Sequence, residues 1–379
     1  MYRLFLIILF FTINICKSQT FKRLTTEQGL SKNWVRCIFQ DDDGLMWFGT
    51  AGGLDIYDGY DVKNLNIGNY NVNAFLRYSG HKILICTDFG IVLYDKVEGG
   101  LENLPILRNQ SVLCVARENE NILWFGTNNG IYRYKLKEKL LESYSIDNYY
   151  INTIYIDSEK NIWAGTKGGL SKYNVKTHRF NSYYNQIFKS QDIFAINRDF
   201  KNRYWIGSAN KGLYVVENIK NTAPKLYMES NVINTYIDSK NNLWVARGNG
   251  QKLMSIDLKA NSKNVLSNIK EYSNKIEDNQ SISDNSIFCV YEDIQKNIWI
   301  GTLGGGISYL NTLSKKFFKK DLIKENIHSS NIINCIFDDS LNTWIGTENG
   351  LLQFDKKQNK YYKFSQNIVN RSGVKGNAI

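Results

Sequence analysis

The stretch Asp41-Asp42-Asp43-Gly44-Leu45-Met46-Trp47-Phe48-Gly49-Thr50-Ala51-Gly52-Gly53-Leu54-Asp55-Ile56-Tyr57 decides the fold, because its core recurs along the chain. It returns as Trp124-Phe125-Gly126-Thr127, Trp163-Ala164-Gly165-Thr166 and Trp205-Ile206-Gly207-Ser208. Three further copies are Trp244-Val245-Ala246-Arg247, Trp299-Ile300-Gly301-Thr302 and Trp344-Ile345-Gly346-Thr347. Leu84-Ile85-Cys86-Thr87 is a degenerate copy, and successive copies lie 37 to 55 residues apart. Seven of the eight tryptophans occupy this one position.

The flanks repeat as well. Six residues before the Trp stands an acid, Asp41, Glu118, Asp157, Asp199, Asp238 or Asp293; Asp339 lies five before, in a turn one residue shorter. An apolar stretch such as Val35-Arg36-Cys37-Ile38-Phe39 or Ile287-Phe288-Cys289-Val290-Tyr291 precedes the acid. A glycine turn and a third apolar stretch follow the Trp, as in Gly53-Leu54 to Tyr57 and Gly169-Leu170 to Tyr173. In many units a fourth stretch follows, such as Phe180 to Tyr184. Four short strands per unit of about 40 residues predict the four-stranded blades of a β-propeller. One such sheet cannot bury both faces; radial stacking does. The Trp then fills the space between sheets, the Gly after it avoids crowding, and the acid bonds the turn amides ahead of the Trp strand.

Composition agrees with this reading. The 379 residues are 43% hydrophobic and include 8 Trp, 24 Tyr and 19 Phe, too many aromatics for a disordered chain. With only two prolines, the 28 glycines and the many Asn, Asp and Ser must make the turns. Four cysteines, Cys37, Cys114, Cys289 and Cys335, share one first-strand slot, and Cys86 replaces the motif Gly in the degenerate unit. All five read as buried small apolar side chains rather than a disulfide framework.

The net charge is +11, but the lysines are scattered and often stand beside acids, as in Lys137-Glu138-Lys139. That describes a solvated basic surface and not a nucleic-acid site. Arg3, an apolar run from Leu4 to Ile13, and small residues before a cut after Ser18 describe a signal peptide over residues 1–18. That run is too short to span a membrane. The expected location is therefore the periplasm, with no membrane span in the chain and a charge lowered to +9 by loss of Arg3 and Lys17.

The pattern D-x(5)-W-x-G-T-x-x-G-[LI]-x-x-[YF], with the opening Phe21-Lys22-Arg23-Leu24 and Gly29-Leu30-Ser31-Lys32-Asn33, resembles the two-component regulator propeller repeat. The resemblance covers residues 21 to 379. It implies the periplasmic sensor region of a hybrid two-component histidine kinase that responds to glycan fragments. It further implies downstream partners: a second propeller, an immunoglobulin-like domain and kinase modules. The kinase would reside in those other domains, so no enzyme activity is expected of these residues. The alternatives are an exported propeller enzyme acting on polysaccharide, a lyase or glycosidase, and a secreted scaffold for protein contacts.

Eight motif units leave two closures open. In the preferred one, Phe21 to Leu24 is the fourth strand of the blade made by Ile287 to Leu310. Residues 19–312 then form a seven-bladed propeller and 313–379 the first blade of an incomplete second one. In the other, residues 19–379 form a single eight-bladed ring. Val374 to Ile379 resembles the entry to a further unit.

Neither metal nor cofactor is expected. Asp41-Asp42-Asp43-Gly44 lacks the spaced ligands of a calcium loop, and Gly304-Gly305-Gly306 has no following Lys-Ser/Thr for a phosphate loop. His81, His178 and His328 show no paired metal spacing and join no nucleophile arrangement. One position is more suggestive. Thirteen residues before each motif Trp the innermost strand begins, near one mouth of the central channel. The residues there are Trp34, Ser111, Tyr150, Asp192, Asn231 and Ser286, with Asn71 in the degenerate unit. Two aromatic rings among short polar groups suit a sugar, by stacking and by hydrogen bonds to its hydroxyls.

Overall fold

The structure, a computed structural model, describes residues 21–260, 268–310, 332–348, 350–358 and 360–364. The expected signal peptide and His328 lie outside the described residues, as does the Val374 to Ile379 segment. The chain divides into two compact units, Met1–Leu313 and Ser314–Ile379.

In the first unit, seven antiparallel four-stranded sheets follow one another along the chain. The first strands of the seven blades are Val35–Gln40, Val72–Ser79, Val112–Asn119, Ile151–Ile156, Ile193–Arg198, Val232–Ile237 and Ile287–Glu292. Each neighbours the next, and the last neighbours the first, so the ring closes at seven blades rather than eight. Six blades take their four strands in sequence order. The seventh takes its outer strand from the other end: Phe21 pairs with Leu310 and Leu24 with Ile307. Arg23 reinforces the seam by donating to the carbonyls of Asp278 and Ser281.

The core is distributed over the seven blade-to-blade interfaces. Trp47 of blade 1 packs among Val72, Ile83 and Ile85 of blade 2. Trp124 and Trp163 do the same one and two blades after the degenerate one, and Trp299 of blade 7 packs on Val35, Ile38 and Phe48 of blade 1. At the interface after the degenerate blade, Leu84 stands where the Trp would be, and Leu123 and Phe125 of blade 3 face it.

The acid before each Trp does more than end the first strand. Asp41 accepts from the amides of Asp43 and Leu45 with one oxygen and from Trp47 Nε1 with the other, at 3.0 Å each. Glu118, Asp157, Asp199, Asp238, Asp293 and Asp339 each accept their own Trp Nε1 at 2.7–3.2 Å. A buried indole N–H without an acceptor is costly, and a carboxylate makes the stronger, charge-assisted bond. The Gly two residues after the Trp is required by close approach. A Cβ on Gly49 would lie 2.4 Å from Cys37 Sγ and 2.6 Å from Val72, and on Gly126 2.5 Å from Cys114 Sγ.

The cysteines need correction. Of the six cysteines, Cys16 lies outside the described residues and the other five are free, but only Cys86 and Cys289 are buried; Cys37 and Cys114 are half-buried and Cys335 is exposed. The first-strand slot faces the motif Gly across the sheet (Cys37 opposite Gly49, Cys289 opposite Gly301), and it also edges the channel. Burial is the main force raising the thiols: Cys114 and Cys289 reach about 12, and Cys37 and Cys86 are pushed well above the ordinary thiol range.

The second unit carries one antiparallel sheet, Ile333–Asp338, Asn342–Thr347, Gly350–Asp355 and Lys360–Phe364, with the same internal pairing: Cys335 faces Gly346 and Phe337 faces Trp344.

Candidate functional site

Every first strand carries a β-bulge near its start. The register slips between Val35 and Cys37, Val72 and Ala74, Val112 and Cys114, and Ile151 and Thr153. It slips again between Ile193 and Ala195, Val232 and Asn234, and Ile287 and Cys289. The residue skipped by the ladder is Arg36, Asn73, Leu113, Asn152, Phe194, Ile233 or Phe288. A bulge re-aims one side chain and is a common device at functional sites. Here all seven skipped residues line one cavity of about 360 Å³, which every blade therefore helps to enclose.

One residue before each of these strands stands the position singled out in the sequence. The seven occupy equivalent places: the carbonyls of Trp34, Asn71, Ser111, Tyr150, Asp192, Asn231 and Ser286 each accept a hydrogen bond from the residue seventeen further on, at 2.9–3.1 Å. They form a rim above the bulged ring. Most are tied into that rim. Asn71 donates to Asp88 at 2.9 Å, Asn231 donates to the Ala209 carbonyl, and Ser286 Oγ accepts from the Gly250 amide at 3.1 Å. The Asp192 amide bonds Asn210 Oδ1, and burial raises its carboxyl pKa, with Lys167 opposing. Ser111 is half-buried in the rim. Tyr150, 38% exposed, also lines the cavity, with the Lys167 ammonium 5.5 Å from its ring.

Trp34 links rim and floor. Its ring meets Phe288 edge-on at 5.6 Å, and the Arg36 guanidinium lies 5.4 Å from its centroid. Its buried Nε1 has no hydrogen-bond acceptor, and neither Asn231 Oδ1 nor Asn234 Oδ1 has a donor. Arg36 Nε donates to Asn73 Oδ1 at 3.0 Å, and Asn73 Nδ2 donates to the Val112 carbonyl at 2.9 Å. Asn152 Nδ2 reaches the Ile193 carbonyl at 3.2 Å. The floor residues were not singled out from sequence. Their trace there is an apolar pair three apart at the strand start, Val35 and Ile38 or Ile151 and Ile154, where unbroken alternation would put them two or four apart.

Among the described residues, no group of three His, Cys, Asp or Glu is placed to hold a metal. His81 bonds Asp95 and His178 bonds Tyr173, each at 3.1 Å. Of the acid triad, Asp41 holds its turn, Asp42 pairs with Arg77 and Asp43 with Lys96, both at 2.6 Å. Among the described residues, no helix is long and apolar enough to cross a membrane.

A ring of tryptophan-anchored blades around a bulged, half-polar channel is a seven-bladed β-propeller with a partly open cavity lined by every blade. Three of its repeats match the model of the two component regulator propeller family, at residues 29–52, 145–168 and 281–304, each spanning a rim residue, a bulged strand and a Trp strand. The chain is 30% identical over 156 residues to histidine kinase P4 of Formosa agariphila, a match covering 35% of this chain and 11% of that protein. It is similar to the extracellular domain of a one-component system of B. thetaiotaomicron (22% identity, TM-score 0.69, 95% of this chain and 49% of that one). It is also similar to the extracellular domain of a hybrid two-component system of the same organism (23%, 0.68, 93% and 50%). The chain thus spans about half the length of those solved structures.

Proposed function

We propose that this chain is the exported ligand-sensing propeller region of a hybrid two-component sensor that responds to glycan fragments. The observation that carries the reading is the floor-and-rim ring within two-component regulator propeller repeats. It offers Tyr150 and Phe288 as stacking faces and Arg36, Asn73 and Asn152 as hydrogen-bonding groups around one cavity, with Trp34 packed against Phe288 and Arg36. Rigid loops and strand ends around a preformed cavity suit recognition of a small polar ligand. In this reading residues 1–18 direct export to the periplasm, residues 19–312 form a complete propeller, and residues 313–379 are the first blade of a second. Any kinase output belongs to other domains of such a sensor, and the ligand biases their arrangement.

A thermal-shift screen of the purified chain against neutral and acidic oligosaccharides, with product analysis of each hit, tests the proposal. Stabilisation without turnover is the expected result. A hit that is cleaved replaces sensing with catalysis, and a chain stabilised by no saccharide overturns the glycan reading.

A further inference from the structure

The floor of the channel is not uniform. Blades 5, 6 and 7 contribute the bulge residues Phe194, Ile233 and Phe288, an apolar arc beside which Asn234 also lines the cavity. Blades 1, 2 and 4 contribute Arg36, Asn73 and Asn152, and Arg36 is the one charged side chain among the cavity's lining residues. At the opposite end of the first strands the charges are paired within the protein. Asp42 is held by Arg77, Asp43 by Lys96 and Glu159 by Arg198, and Glu292 accepts from the amide and hydroxyl of Ser239.

Arg36 has no such partner: among the described residues it pairs with no carboxylate. Its Nε is committed to Asn73 Oδ1, whose own amide is anchored on the Val112 carbonyl, and its Cζ lies 5.4 Å from the centre of the Trp34 ring. Those contacts hold the guanidinium in place, and among the described residues its Nη groups meet no acceptor. A half-buried guanidinium held in place by a neutral amide and an aromatic ring has a preorganised fork for one anion. Trp34 Nε1, a buried donor without an acceptor, stands beside it.

We infer that this channel binds a single monoanionic saccharide unit, its carboxylate or sulfate oxygens on Arg36 and one face of its ring on the apolar arc of Phe194, Ile233 and Phe288. This rests on the glycan-sensing reading and narrows it to one charge type and one place. The cavity of about 360 Å³ lies at the small end of ligand sites, suited to one or two sugar rings rather than a long chain.

Trp34 provides the readout, because its ring meets the floor residues Phe288 and Arg36, whereas Trp47, Trp124, Trp163, Trp205, Trp244 and Trp299 are buried in the blade interfaces. The purified chain is titrated with glucuronate, glucose 6-sulfate, glucose and inorganic sulfate, following tryptophan fluorescence and melting temperature. At least one of the two anionic sugars is expected to bind and to change the Trp34 signal, a change that Trp34→Phe abolishes. Glucose and inorganic sulfate should each bind at least tenfold more weakly. Arg36→Met, which keeps the stem beside Trp34, should weaken the anionic sugar about 10- to 100-fold, the loss expected for one charge-assisted fork. Leu113→Trp should block the channel.

Carboxylate-only or sulfate-only binding names the anion. Equal binding of glucose and the anions overturns the inference, as does full affinity in Arg36→Met or the absence of any anionic-sugar binding. The ligand comparison in the unmutated protein decides the matter even if Arg36→Met folds poorly. If neutral oligosaccharides bind while these probes do not, the sensing proposal survives and this inference alone fails.

Discussion

The same motif stands in two settings, and the contrast separates what the repeat encodes from what the ring adds. In the seven blades of the ring, the first residue of the first strand is fully buried: Val35, Val72, Val112, Ile151, Ile193, Val232 and Ile287 are each 0% exposed. In the single sheet of residues 333–364 the equivalent Ile333 is 45% exposed, and Ile336 and Phe337 are 62% and 66% exposed. Yet the hydrogen bonds within that sheet are the same. Trp344 Nε1 reaches Asp339 at 3.0 Å, Thr347 Oγ1 reaches the Gly350 carbonyl at 2.9 Å, and the bulge falls between Ile333 and Cys335. The repeat therefore specifies a sheet with its turns and its indole anchor. Burial of its two faces is a property of neighbours.

The largest test of this contrast removes the indole. Trp163 is fully buried between blades 4 and 5, packed on Ile193, Ile196, Tyr204 and Ile206. Trp163→Ala is expected to lower the stability of the ring by about 3–5 kcal/mol, as large core truncations do. Trp344 is only half-buried, with the tilted ring of Phe364 6.2 Å away. Trp344→Ala should cost about 1–2 kcal/mol, in proportion to the smaller area it covers. Denaturant unfolding of both variants reads the difference, and equal losses would show that the sheet, not its neighbours, supplies the indole's stabilising contacts.

The acid beneath the indole gives a smaller effect with a pH signature. Asp157 accepts from Tyr204 Oη at 2.5 Å, Trp163 Nε1 at 3.2 Å and both the amide and side chain of Asn161. Burial alone would raise its pKa, but the bonds from Tyr204, Asn161 and Trp163 outweigh it and hold the carboxyl below its ordinary value. A depressed folded-state pKa means the contribution is fully present above the unfolded value of about 3.9 and is lost as pH falls through the folded value. Asp157→Ala should cost about 3 kcal/mol at neutral pH, since it strands buried donors. It should also flatten the acid limb of the stability profile below about pH 4. An unchanged acid limb would assign acid unfolding to other carboxylates. Asp339, held low by the Asn342 amide and Trp344, should give a smaller loss when replaced by Ala, because its Trp344 is only half-buried.

Blades, turns and the packing of Trp and Gly between sheets were legible in the sequence because each residue type recurs at a fixed offset. Chance does not place seven of eight tryptophans in one slot. The acid was assigned only half its task, the turn amides. Its second oxygen meets the indole because of the Trp rotamer, which spacing does not reveal. The candidate site was displaced by two residues for a comparable reason. Counting back thirteen from Trp47 reaches Trp34 on the rim, whereas the bulge turns Arg36 into the channel. Alternation by two predicts an unbroken ladder, and a bulge is visible only as Val35 and Ile38 standing three apart.

The smallest effect is a chemical rather than an energetic contrast. Cys37, Cys114 and Cys289 face Gly49, Gly126 and Gly301 in the ring, and Cys335 faces Gly346 in the single sheet, so sequence assigns all four one environment. Thiolate, not thiol, attacks disulfide reagents. Burial pushes the three ring thiols up, to about 12 for Cys114 and Cys289, which leaves almost no thiolate at pH 8. Cys335 is exposed. Titration of the native protein with an aromatic disulfide at pH 8 should therefore label Cys335 before the ring thiols, with Cys37, Cys86, Cys114 and Cys289 following only on unfolding. A Cys335→Ser variant should leave the native protein almost unreactive. Fast labelling of Cys37 or Cys114 in that variant would mean that the channel admits the reagent and that the floor opens further than the blade packing allows.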